Sequence, residues 1–124
     1  NVIFTGVRSD VAQILNAADV FILPSISEGC PNIILEAAAM GMPIVATTVG
    51  ATPEILVNNE TGFLIPSKDA EKLEQALQAM IQNPQKAKKM GEKAREFVTK
   101  NFNLEVVSKR VNTFYNGVAE SSRP

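Results

Sequence analysis

Val20-Phe21-Ile22-Leu23-Pro24-Ser25-Ile26-Ser27-Glu28-Gly29-Cys30-Pro31-Asn32-Ile33-Ile34-Leu35-Glu36-Ala37-Ala38-Ala39-Met40-Gly41-Met42-Pro43-Ile44-Val45-Ala46-Thr47-Thr48-Val49 decides the fold. Two β-rich apolar runs, 20–24 and 43–49, flank a segment whose composition is helical. Pro31 suits the first turn of that helix, while Gly41, with Pro43 just beyond, suits its end. Strands this apolar need cover on both faces, and a helix between them allows a parallel pairing. The expectation is an α/β layered fold.

Outward from this stretch the alternation continues. Val2-Ile3-Phe4-Thr5-Gly6 reads as another buried strand, and Val11, Ile14, Leu15 and Ala18 fall at helical spacing behind Ser9, a good N-cap. Pro53 to Val57 offers one or two helical turns before the apolar run Thr61-Gly62-Phe63-Leu64-Ile65. From Asp69 onward only helical patterns remain. Leu73, Leu77, Met80 and Ile81 form one apolar stripe, Asn83-Pro84 opens a second helix reaching about Thr99, and Asn103 caps a third that carries Val106, Val107, Val111, Phe114 and Tyr115. One domain over residues 1–119 is expected, with 120–124 fraying.

Composition narrows the function. Twelve basic and thirteen acidic residues give a net charge of -1, which provides no positive field to hold nucleic acid. The chain has one cysteine, Cys30, and no histidine, so neither an internal disulfide nor a Cys/His metal site is expected, and the compartment reads as a reducing cytoplasm. No apolar run nears the ~20 residues that span a bilayer. Asn59-Glu60-Thr61 matches a glycosylation sequon, which matters only in a secreted context.

The loop from Pro24 to Pro31 lies where a strand's carboxyl end meets a helix N-terminus, the usual ligand crevice of open α/β sheets. Unpaired amides and the positive end of the helix dipole suit a diphosphate there, and Gly29 permits close backbone approach. Glu36 sits in a helix that is apolar nearly all round and is therefore expected to be buried. A buried carboxylate needs hydroxyl, amide or cationic partners, so a sugar or ribose diol is one reading and escape at the helix edge is the other. Glu28 alone reads more readily as a solvated turn residue than as a functional one. Cys30 reads as a small loop residue rather than a nucleophile. Gly50-Ala51-Thr52-Pro53 reads by itself as an ordinary strand-to-helix turn. Lys86, Lys88, Lys89, Lys93 and Arg95 form a solvated helix face, with contact to an acidic membrane as the alternative.

Glu28 and Glu36, with seven residues between them, stand inside a longer pattern that resembles the group 1 glycosyltransferases. It runs from Ala18-Asp19-Val20-Phe21-Ile22-Leu23-Pro24-Ser25 through Ala37-Ala38-Ala39-Met40-Gly41-Met42-Pro43-Ile44-Val45-Ala46-Thr47 to Val49-Gly50-Ala51-Thr52-Pro53-Glu54-Ile55, Thr61-Gly62-Phe63-Leu64-Ile65-Pro66 and Met90-Gly91-Glu92-Lys93-Ala94-Arg95. The resemblance implies the GT-B arrangement of two Rossmann-like domains, this chain being a truncated carboxyl-terminal domain with a parallel sheet and a helical C-terminal segment. It further implies a nucleotide-sugar donor as substrate, transfer with retention, no metal and no cofactor. Glu28 would contact donor-sugar hydroxyls and is the catalytic candidate. Gly29, Cys30, Pro31, Asn32 and Ile33 would line the donor, Glu36 would hold the ribose diol, and Ser25, Thr48 and Gly50 would border the cleft. A glycan or lipid acceptor would be held by the absent amino-terminal domain, in polysaccharide biosynthesis, with a cytoplasmic or membrane-associated parent.

The sequence departs from that family's pattern in one respect: no glycine-rich strand-loop or basic diphosphate clamp is present. A chain that begins partway through the domain and is inactive alone is therefore expected. In the strand order 3-2-1-4-5-6, residues 2–6 would be the third strand and 20–25 the fourth, with the two strands between them missing. The isolated chain is then expected either to self-associate, for example by swapping its first strand and helix into another copy, or to repack that strand against a different neighbour. A nucleotide-sugar epimerase or phosphorylase fragment and a non-catalytic α/β interaction module are the rival classes.

Overall fold

A computed structural model describes residues 1–121, and through residue 118 their side chains. Three short strands, β1 (Phe21–Leu23), β2 (Ile44–Thr47) and β3 (Phe63–Ile65), form a parallel sheet in the order β1-β2-β3. The register pairs Ile22 with Val45 and Ala46 with Leu64. Helix α1 (Val11–Ala17) precedes β1, α2 (Asn32–Ala39) joins β1 to β2, and α3 (Thr52–Ile55) joins β2 to β3. Then follow α4 (Ala70–Gln82), α5 (Pro84–Asn101) and α6 (Leu104–Ser121). Each connection between parallel neighbours passes through a helix, as parallel pairing requires.

The sheet is covered on both faces. Ile44, Ala46 and the partly buried Phe21, Leu23 and Leu64 pack with Ile34, Ala37, Ala38, Ile55 and the later turns of α5, represented by Ala94 and Val98. On the opposite face Val45, Phe63 and Ile65 pack with Ala76 and Met80 of α4 and Ala87 of α5. Helix α5 thus contributes to both cores.

Helix ends follow from local chemistry. After α2, the Met42 amide donates to the Ala37 carbonyl at 3.1 Å and the Gly41 amide to Ala38 at 2.9 Å, with Gly41 at φ +74°, a Schellman closure. Asp69 and Asn83 cap α4 and α5 by accepting from the Lys72 and Lys86 amides, and Asn103 caps α6 by accepting from Val106 at 2.8 Å. These starts agree with the sequence. Helix α1 differs, because it begins one residue later than expected: Asp10, not Ser9, is at the N-cap position. The Asp10 carboxylate makes no cap bond and instead accepts from the exposed Arg8 guanidinium, which lowers its pKa from the ordinary carboxylate value.

Two further expectations fail. Residues 2–6 form no strand and pair with nothing among the described residues; Val2, Ile3 and Phe4 are exposed, Phe4 at 94%. Apolar content alone does not make a strand, because a strand needs a ladder partner, and β1 pairs on one side only, with β2. Docking of this segment within the chain, in a family position or beside a different neighbour, is therefore not observed. Ile81, assigned to the α4 stripe, is also exposed, because Met80 and Ala76 already turn that helix's apolar face to the sheet. Helix α6 is capped as expected, but Leu104, Phe114 and Tyr115 are exposed. Glu120 and Ser121 are the last residues of α6; the remainder of the expected tail, 122–124, lies outside the described residues.

Candidate functional site

The carboxyl ends of the three strands are tied together by hydrogen bonds. Thr47, the last residue of β2 and only 2% exposed, donates its hydroxyl to the Ser25 carbonyl at 2.7 Å and more weakly to Leu23 at 3.3 Å. This fixes the backbone where β1 becomes loop. The next residue, Thr48, donates its amide to the Ile65 carbonyl at 2.8 Å and its hydroxyl to the same oxygen at 3.2 Å, which fixes the end of β3.

Within the loop, the Ser25 hydroxyl donates to Glu28 Oε1 at 2.7 Å. Both side chains are half-buried. They stand three positions apart, a spacing at which a loop folds back on itself, so the carboxylate is held beside the strand it follows. The far side of the loop is held from β2's continuation: the Ala51 amide donates to the Gly29 carbonyl at 2.8 Å. Gly50, at φ +52°, lies so close that a Cβ there would stand 2.1 Å from the Glu28 carbonyl oxygen and 2.6 Å from that of Gly29. Glycine is required by the contact as well as by the backbone conformation.

Helix α2 opens onto this loop. Its N-cap residue, Pro31, provides no side-chain cap, and the Asn32 and Ile33 amides meet no acceptor among the described residues. Gly29, Cys30 and Asn32 are exposed, Ile33 is half-buried and Pro31 is buried. The loop is thus a shaped backbone surface with free donors and one oriented carboxylate, suited to an anionic group with hydroxyls beside it. Thr47 escaped notice in the sequence, where it reads as one more β-former. A hydroxyl placed at the last position of a buried strand was the available signal.

The burial expected for Glu36 is not found. Helix α2 buries only Ile34, Ala37 and Ala38, while Asn32, Glu36, Ala39 and Met40 line its exposed side. Alanines make a helix look apolar all round without adding enough area to demand burial, and α5 covers one side alone. The Glu36 carboxylate is therefore solvated, and the desolvation argument does not apply to it. Glu36 borders a groove of about 360 Å³ with Leu35, Ala39, Val98, Thr99 and Phe102. The groove beside Glu36 does not include Glu28. A separate cavity of about 240 Å³, at the strand ends, is bounded by Pro24, Thr47, Ile65, Pro66 and Lys68 and includes neither glutamate. Lys86, Lys88, Lys89, Lys93 and Arg95 of α5 are all exposed, in keeping with a solvated face. Among the described residues no helix is long and apolar enough to cross a membrane, and no group of three or more His, Cys, Asp or Glu side chains converges.

Comparison with known proteins supplies the family. The profile of "Glycosyl transferases group 1" matches residues 1–83. An N-acetyl-alpha-D-glucosaminyl L-malate synthase of Bacillus anthracis is 32% identical over 123 residues, covering 98% of this chain and 32% of that protein. A UDP-Gal:alpha-D-GlcNAc-diphosphoundecaprenol alpha-1,3-galactosyltransferase of Escherichia coli is 40% identical over 72 residues, 58% of this chain and 19% of the relative. Among solved structures, a sucrose-phosphate synthase of Thermosynechococcus elongatus superposes with a TM-score of 0.78 at 32% identity, covering 88% of this chain and 27% of that one. The α/β layering matches GT-B glycosyltransferase domains. The chain spans about a third, or less, of the length of the curated relatives it matches. With its strands, its uncapped α2 and Glu28 arranged as described, the chain belongs to the group 1 glycosyl transferases.

Proposed function

We propose that this chain forms the donor-binding part of a retaining glycosyltransferase that takes a nucleotide-sugar, with a hexosyl group as the transferred unit. The observation that carries the reading is the Glu28 carboxylate, held by Ser25 at the mouth of an uncapped helix N-terminus. A diphosphate accepts from the free amides of α2, and the sugar hydroxyls donate to Glu28. Cys30 and Asn32 border the donor, and Thr48 and Gly50 form the wall opposite. Glu36, solvated one helical turn beyond Asn32, accepts from the ribose diol. The name of the galactosyltransferase relative, which specifies a UDP-linked donor, supports this substrate class. The acceptor, a glycan or lipid, is bound by surfaces beyond this chain, which alone binds donor weakly and does not turn over. A setting in polysaccharide biosynthesis follows.

Glu28 acts on the transition state by holding the sugar while the diphosphate departs. In a full-length enzyme carrying this segment, Glu28→Ala is expected to lower kcat about 100-fold or more while bare nucleotide binds as before. Steady-state kinetics beside titration with the bare nucleotide test it. Equal weakening of nucleotide and nucleotide-sugar would remove Glu28 from the sugar.

Glu36→Gln replaces a charge-assisted hydrogen bond by a neutral one and is expected to weaken donor binding by about 1–3 kcal/mol. Because Glu36 is exposed, thermal stability should be unchanged. Isothermal titration that returned the parental affinity would end the ribose assignment.

A further inference from the structure

We propose that Ser25 is a positioning residue for Glu28, held in place by Thr47, and that it fixes which carboxylate oxygen meets the donor. This inference rests on the reading of Glu28 given above. The three residues form a chain of hydrogen bonds that starts in the core. Thr47 is buried at the end of β2, and its hydroxyl holds the Ser25 carbonyl at 2.7 Å. Ser25 in turn donates to Glu28 Oε1 at 2.7 Å, while Oε2 has no partner in the chain among the described residues.

The geometry has a specific consequence. A glutamate on a loop rotates about three side-chain bonds, and freezing them when the donor arrives opposes binding. Here the freezing is done in advance. Ser25 occupies one oxygen and its backbone cannot drift, because Thr47 anchors it to the sheet. The remaining oxygen points where the loop leaves it, ready to accept from a sugar hydroxyl. Ser25 itself needs no contact with the donor for this role.

A double-mutant cycle in the full-length enzyme tests the assignment. Ser25→Ala is expected to lower kcat about 10- to 100-fold, the range for losing a hydrogen bond to a charged group, with bare-nucleotide affinity within about twofold of the parent. Ser25→Thr, which keeps the hydroxyl, should restore most of the loss. In a Glu28→Ala background, Ser25→Ala should cost less than about twofold, since nothing remains to be positioned. Thr47→Val against Thr47→Ser supplies a second arm if Ser25→Ala proves unstable: the valine removes the anchor and should lower kcat, while the serine retains it. An unchanged kcat in Ser25→Ala, or an equal loss in both backgrounds, overturns the positioning role while leaving Glu28 in place. Full turnover by Glu28→Ala would instead overturn the reading of Glu28, and this inference with it.

Discussion

Gly50→Ala is expected to cut turnover of the full-length enzyme by about 100-fold, although Gly50 contributes no side chain to the site. Two effects combine. Alanine at φ +52° costs about 1–2 kcal/mol in the left-handed region. The larger effect is steric: the new methyl would stand 2.1 Å from the Glu28 carbonyl oxygen, and a real contact needs about 1 Å more. Both colliding groups are backbone, so no rotamer change relieves them. Either the 24–31 loop or the turn after β2 must move, and the loop carries Glu28 and leads into α2. If Glu28 has the role proposed for it, a displacement of that size is worth about two orders of magnitude in rate. Kinetics should show the loss mainly in kcat, and thermal unfolding should show a destabilisation of about 1–3 kcal/mol. Parental turnover in the variant would mean that the loop is not braced by Gly50.

For Gly91→Ala the largest effect is on stability. Glycine inside the long helix α5 is locally unfavourable, and alanine would gain about 1 kcal/mol of helix propensity. Packing reverses the sign. A Cβ at residue 91 would stand 2.0 Å from the Gly41 carbonyl oxygen and 2.8 Å from the Met42 carbonyl carbon, at the turn that closes α2. Because α2 and α5 touch backbone to backbone here, the methyl must push the helices apart and open the core containing Ala37, Ala94 and Ile34. A net loss of about 2–3 kcal/mol is expected, roughly 10 °C in Tm for a domain of this size. Gly117→Ala is the control, since among the described residues nothing lies within 4 Å of a Cβ there. It should follow propensity and stabilise slightly. A Gly91→Ala protein as stable as the parent would contradict the close approach of α2 and α5.

The stretch 20–49 was legible because its signals are local. Gly41 and Pro43 end a helix by rules of backbone conformation that need no knowledge of the rest of the chain, and the Schellman closure appears where they place it. The same holds for the caps at Asn83 and Asn103. What failed depends on partners. Residues 2–6 have strand composition, but a strand exists only through hydrogen bonds to another strand, and composition does not specify one. Of the two readings of Glu36, burial fails and escape at the helix edge holds, because a count of apolar residues treats Ala38 and Ala39 alike, whereas the fold buries the first and exposes the second. Of the candidate site, the sequence singles out the loop and Glu28. It did not reveal the Thr47–Ser25–Glu28 chain, since residues 22 positions apart come together only when the sheet pairs β1 with β2.

Helix α5 sends Ala94 and Val98 into the core on one face of the sheet and Ala87 into the core on the other. Neither face can therefore melt while leaving α5 intact, and the two should come apart in a single cooperative step. Amide hydrogens of β2, α2 and α5 should share one slow exchange rate set by global unfolding. Residues 1–6, which bury almost nothing, should exchange at nearly the rate of a free peptide. The outer turns of α6, with Phe114 and Tyr115 in solvent, should open independently of the rest. The bracing of the 24–31 loop then belongs to the cooperative unit rather than to residues 1–6 or the outer turns of α6.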